Sequence, residues 1–145
     1  MRYHILMRTK KVVLDTNVLY AGLYSNRGAS HKVLRAIDEG RLRIVLSTTL
    51  LFEYEEALRS HQELLGLSDC QIQDVLDGLC AHGDPQRICF LWRPSLPDAC
   101  DDHLLELAVA SGVDVIVTHN RRHFRGTTAF GVRAVTPKQL LEEIE

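Results

Sequence analysis

Five acidic side chains stand where an alternating strand and helix chain gathers reactive groups. Asp15 closes the apolar run KVVL, Glu53 lies early in TTLLFEYEEAL, and Asp98, Asp101 and Asp102 precede the apolar stretch HLLELAVAS. His119 and Asn120 follow directly on VDVIVT. Several carboxylates in one crevice repel one another, and a hard divalent cation relieves that repulsion. Oxygen donors of this kind select Mg²⁺ or Mn²⁺, ions that keep bound waters and share substrate phosphates. Such a centre polarises a phosphoryl oxygen and lowers the pKa of a bound water, so phosphodiester hydrolysis is the expected chemistry. Each acid alone has a plainer explanation as a helix cap favoured by the helix dipole. Their joint placement at strand ends is what points to a site, and Asp15, directly behind VVL, carries most of the weight.

The elements must then bring these groups together. Lys11 to Asp15 has the pattern of a buried strand, and it enters a helix over Asn17 to Tyr24. Ser30 to Glu39 predicts a second helix, with Gly40 at its C-cap, and Arg43 to Ser47 a second strand. Thr48 or Thr49 is placed to cap a helix carrying Leu51, Tyr54, Glu55 and Leu58. Ser68 and Gln71 form a capping-box signature before Ile72, Val75, Leu76, Leu79 and Cys80, and that helix ends at His82 and Gly83. Ile88 to Trp92 reads as a strand, and Pro94 and Pro97 bracket the loop that delivers the acids. A helix over Leu104 to Ala110 stops at Gly112, and Val113 to Thr118 and Arg133 to Val135 are strands. Thr136 caps a last helix that starts at Pro137. This alternation implies one α/β domain over residues 1–145, with a mostly parallel sheet between helical layers and residues 1–10 a lead of little structural weight. Ligands of such sheets bind outside the carboxyl ends of the strands, where these acids fall.

Composition narrows the class without naming a partner. The 145 residues carry 17 Lys and Arg against 19 Asp and Glu, a net charge of −2, so no overall basic excess announces a nucleic-acid binder. With 46% apolar and 25% charged residues the chain is that of a soluble globular protein. No apolar run approaches the roughly 18 residues of a membrane span, so no membrane partner is expected. No secretion signal precedes the domain, and Cys70, Cys80, Cys89 and Cys100 show no CxxC pair, so reduced thiols and a cytoplasmic location are expected.

The strings VVLDTNVLYAGL, VLSTTLLFEYEEAL, PDACDDHLLELAVASGVDVIVTHN and VRAVTPKQLLEEIE, in this order, resemble the PIN-domain family, and within it the small stand-alone toxin components of toxin–antitoxin systems. The resemblance spans Lys11 to Glu145. It implies a three-layer α/β/α sandwich with a central mostly parallel sheet, a Mg²⁺- or Mn²⁺-dependent ribonuclease activity, an RNA substrate and a cognate antitoxin. Residue by residue, Asp15, Glu53 and Asp102 match the family's catalytic carboxylates, and Asp98 matches an additional acid that would join Asp15 and Asp102 around the metal. Thr16 and Asn17 would order the site through hydrogen bonds, and Thr118 matches a small hydroxyl residue near the crevice. The departure is Asn120, where many members carry Asp; one charge fewer weakens the hold on a metal unless Asp98 compensates.

Arg121, Arg122 and Arg125 form a basic run beside the acidic strand end, suited to RNA phosphates or to a solvated loop. His103 and His119 read most simply as surface histidines rather than ligands. The apolar faces around Leu50, Leu51 and Tyr54 and over Leu67 to Cys80 would serve the core, or else a homodimer or antitoxin contact. Two other functions compete: a catalytically weak PIN-like binding or dimerisation module, motivated by Asn120, and a haloacid-dehalogenase-like phosphatase. The phosphatase chemistry wants a second Asp two residues after the first, where this chain has Asn17.

Overall fold

A computed structural model describes residues 9–86 and 102–144, with the side chain of Asp102 outside that description. Five strands form one sheet: β1 (Lys10–Leu14), β2 (Leu42–Leu46), β3 (Gly83–Pro85), β4 (Val115–Val117) and β5 (Arg133–Val135). Their order is β3-β2-β1-β4-β5, and all four neighbouring pairs are parallel. Seven described α-helices accompany them: α1 (Thr16–Tyr24), α2 (Ala29–Asp38), α3 (Thr48–Ser60), α4 (Gln62–Leu65), α5 (Asp69–His82), α6 (Asp102–Ser111) and α7 (Pro137–Ile144).

A parallel sheet needs helices on both faces, and its strands are therefore apolar without alternation. Val12, Val13, Leu14, Ile44, Ile116 and Val117 are all fully buried. Crossovers from β1 to β2 to β3 run one way along the sheet, and the chain then returns to β4 and β5 on the other side of β1. Helix α2 packs on α1, α5 and α7, whereas α6 lies on β1, β2 and β4. The strand order reverses between β1 and β4, and crevices of doubly wound sheets form at that reversal. β1 and β4 meet with Val13 opposite Ile116 and Leu14 opposite Val117, which sets Asp15 beside Thr118.

Local chemistry explains the element ends, with some departures from the sequence reading. Helix α3 is capped by Ser47, whose hydroxyl accepts from the Leu50 amide at 3.1 Å, and not by Thr48 or Thr49, which are its first helical residues. Ser68 and Gln71 make the expected capping box, and Thr136 and Gln139 make a second one before Pro137. Gly40 ends α2 with φ +78°, a conformation that side chains resist. β1 begins at Lys10, the last residue of the lead, which pairs with Leu42.

The edge strand β3 had no apolar signature. Its Gly83 approaches so closely that a Cβ would stand 2.7 Å from both Leu46 Cδ1 and the Leu79 carbonyl oxygen. The expected strand over Ile88–Trp92 and the loop at Pro94 and Pro97 lie outside the described residues. Leu50, Tyr54, Ile72, Leu76 and Leu79 are core residues, whereas Cys80, read with that face, is an exposed free thiol, as is Cys70. No described helix is long and apolar enough to cross a membrane.

Candidate active site

Asp15 is the N-cap of α1 in extended conformation, at the carboxyl end of the central strand β1. Its amide donates to the Val117 carbonyl at 2.9 Å, so β1 and β4 remain paired up to the carboxylate. Only 8% of the residue is exposed. Thr118, fully buried, donates its hydroxyl to Asp15 Oδ2 at 2.7 Å. Burial pushes the Asp15 carboxyl above its usual range, and the neighbouring charge of Glu53 pushes the same way. The hydrogen bond from Thr118 opposes both and does not cancel them.

Glu53 reaches the same place from α3. Its Oε1 accepts the Thr16 hydroxyl at 2.6 Å, and its Oε2 lies 2.9 Å from His103 Nε2. Burial also works against this carboxylate, yet the hydrogen bonds from His103 and Thr16 outweigh it and hold its pKa below the usual range. Glu53 therefore stays ionised beside Asp15. Tyr54, the next residue, is buried and donates its hydroxyl to the Leu14 carbonyl, clamping α3 to the end of β1. Burial raises the Tyr54 phenol well above its usual range, so it remains a donor.

On the other side Asn17 Oδ1 accepts from the His119 amide at 3.3 Å, and Thr118 Oγ1 accepts from the Asn120 amide at 3.0 Å. Asn17 is thus engaged in holding the turn after β4, away from the second-acid role of a phosphatase. Asn120 is exposed and takes part through its backbone. Arg121 and Arg122 open a 3₁₀ turn over Arg121–Phe124 and are exposed, as is Arg125 at its end. No described hydrogen bond ties these arginines to the carboxylates.

Hydrogen bonds therefore link Asp15 to Thr118, Thr16 to Glu53 and the Asn120 backbone to Thr118 at the β1/β4 reversal, with Asn17 holding the His119 amide beside them. Asp98 and the side chain of Asp102 lie outside the described residues, although α6, which Asp102 opens, packs on β1. His103, expected on the surface of its helix, is instead partly buried: its side chain is 21% exposed and engaged with Glu53, and its Nδ1 is buried without a partner among the described residues. The signal was the helical period, since Leu107, four residues on, is fully buried on the same face. His119 is exposed, but its Nε2 lies 2.7 Å from Ser30 Oγ, a contact across 89 residues that no local pattern announces.

The donor set suits a hard cation. Asp15 and Glu53 bring two charges into partial burial, and among the described residues neither pairs with a lysine or arginine. Their donors are oxygens throughout, and the His103 imidazole faces Glu53. Among the described residues no group of three or more His, Cys, Asp or Glu side chains is disposed to hold a metal ion, so a complete shell needs further acids. A family model described as PIN domain matches residues 11–122. Among curated proteins, none matches the chain well enough to count as a relative.

Proposed function

Because the chain belongs to the PIN-domain family, whose fold is of nuclease type and whose members generally use divalent metals and bind RNA, we propose that it is a Mg²⁺- or Mn²⁺-dependent endoribonuclease. The observation that carries this reading is the buried Asp15 carboxylate at the β1/β4 reversal, unneutralised by any described lysine or arginine and accompanied by the ionised Glu53. Asp15, Asp98 and Asp102 would hold the metal, with Glu53 and Asn120 beside them. A divalent ion bound there supplies Lewis-acid polarisation of the phosphoryl oxygen and a water of lowered pKa for in-line attack.

The remaining work falls to the chain's own residues. Thr118 fixes Asp15 Oδ2, so the carboxylate presents a set orientation toward the crevice. Thr16 and His103 each hydrogen-bond one Glu53 oxygen, which favours the charged form of Glu53 and orients it beside Asp15. Arg121, Arg122 and Arg125 stand exposed at the rim and are suited to phosphates flanking the scissile bond. The toxin role, with an antitoxin holding the enzyme inactive, rests on the strings that resemble the stand-alone toxin branch.

The test is cleavage of a pool of labelled structured RNAs in Mn²⁺, in Mg²⁺ and in chelator, by the wild-type protein and by Asp15→Asn. Cutting that needs metal and falls at least about 100-fold in the variant is expected. Cutting unaffected by Asp15→Asn would remove the site assignment. No cutting in any metal would favour the binding-module reading, which the neutral Asn120 supports.

A further inference from the structure

A cleft of about 400 Å³ opens beside the carboxylate site, between α1, the start of α2 and the start of α7. Tyr20, Tyr24, Ser30, His119, Thr136 and Lys138 line it. We propose that this cleft seats one unpaired nucleobase of the RNA next to the scissile phosphate, stacked on Tyr24, with the adjoining backbone phosphate at Lys138. The proposal rests on the ribonuclease reading, and it adds a base-recognition subsite to it.

The first support is continuity. His119 lines the cleft with its side chain, while its backbone amide donates to Asn17, two residues after Asp15. Asn17, Tyr20 and Tyr24 follow one another at helical spacing on α1, so a strand of RNA entering along this helix passes from the cleft to the carboxylates.

The second is the aromatic geometry. Tyr20 and Tyr24 are stacked, with centroids 5.9 Å apart and planes 16° from parallel. Tyr20 also meets the His61 ring at 4.7 Å, tilted by 55°. Tyr24 is the more open member of this stacked pair, and 58% of it faces solvent. Leaving such a ring in water is unfavourable, and a nucleobase is the flat partner that extends a stack whatever its sequence.

The third is polarity. The cleft lining includes Lys138 and no Asp or Glu, whereas the apolar cavity between α1, α2 and α5 is bordered by Asp38 and Asp74, which repel a polyanion. Ser30 and His119, hydrogen-bonded to each other at 2.7 Å, put a hydroxyl and an imidazole into the lining, suited to the polar edge of a base. The volume lies within the range of sites that enclose small aromatic ligands.

Binding is measured by fluorescence anisotropy of labelled single-stranded RNA hexamers in chelator, so that no cleavage occurs. Tyr24→Ala is expected to weaken binding about tenfold or more, and Tyr24→Phe to stay within about twofold of wild type, because the ring and not the hydroxyl stacks. Lys138→Gln should lower the slope of log Kd against log salt by about 0.7, one phosphate contact on a single strand. A hexamer of abasic ribose phosphates should bind the wild-type and Tyr24→Ala proteins alike. Equal RNA binding by wild type and Tyr24→Ala, with melting temperatures unchanged, would overturn the subsite. Cleavage in Mn²⁺ is followed in parallel: if RNA is cut but Tyr24→Ala leaves KM unaltered, the subsite alone fails. If hexamers bind through Tyr24 but no RNA is cut in any metal, the subsite stands and the nuclease reading fails.

Discussion

Thr118 donates its hydroxyl to the carboxylate of Asp15 across 2.7 Å, joining the ends of two adjacent parallel strands that lie 103 residues apart in the chain. The same oxygen accepts the Asn120 amide, so one side chain sets both the acid and the turn beside it. Replacing Thr118 by Val keeps the branched shape and removes the oxygen. The expected loss is about 1.5–3 kcal/mol of stability, the range for a hydrogen bond to a charged group. Cleavage should also fall about tenfold or more, as when the partner of a metal-binding carboxylate is removed. Thr118→Ser should retain most of both, and urea unfolding with a single-turnover cleavage assay separates the two effects.

Tyr54→Phe removes the hydroxyl that Leu14 accepts from and leaves that buried carbonyl unpaired on this side. Destabilisation of about 1–3 kcal/mol is expected from the unsatisfied acceptor. Thermal unfolding reads it directly, and unchanged melting would mean that the Leu14 carbonyl finds another donor.

Helices α1 and α2 meet at Gly22, where a Cβ would lie 2.9 Å from the Ser30 carbonyl oxygen and 2.6 Å from Leu34 Cδ1. Leucine can turn aside, but a helix carbonyl cannot. Alanine suits a helix better than glycine by about 1 kcal/mol, and overpacking of this kind costs about 1–3 kcal/mol. Gly22→Ala should therefore be destabilised, with Tm lower by about 3–6 °C in a scanning calorimeter. Because Ser30 also holds His119, RNA binding should weaken in the same variant.

Asp84 on the edge strand accepts from Arg43 and pairs with Lys11 at 2.7 Å. Hydrogen bonds from Arg43 and then Lys11 hold its pKa below the ordinary carboxylate value. A depressed folded-state pKa means stability that is fully present above the unfolded value, near 4, and is lost as pH falls through the lower folded value. Asp84→Asn should cost about 1 kcal/mol at neutral pH, a figure kept small by partial exposure. The gap between variant and wild type should close as pH falls below about 4, measured by urea titrations at several pH values.

Much of this architecture is legible in the sequence because its strands are buried on both faces and its caps are local. KVVLD, VDVIVT and the pair Thr136–Pro137 each carry their own signal, and β5 falls where its residues predict. The edge strand Gly83–Pro85 is not legible, because it contributes backbone to β2 and almost no apolar surface. Ser47 displaces Thr48 and Thr49 as cap because three successive hydroxyl residues satisfy one rule, and only the geometry at Leu50 chooses among them. In the site, Asp15 and Glu53 stand out as acids at element ends. The engagement of His103 with Glu53 and of Ser30 with His119 belongs to contacts between helices and turns distant in the chain.

The contacts that build the crevice span 37 residues from Thr16 to Glu53, 50 from Glu53 to His103 and 103 from Asp15 to Thr118. A ribosome emits the chain from its N-terminus, so β1 leaves the tunnel with one edge open and must wait for β4 to fill it. Until Thr118 has emerged there are carboxylates but no place for them to act together. A translation product that stops short of Thr118 therefore carries Asp15 without the partner that orients it.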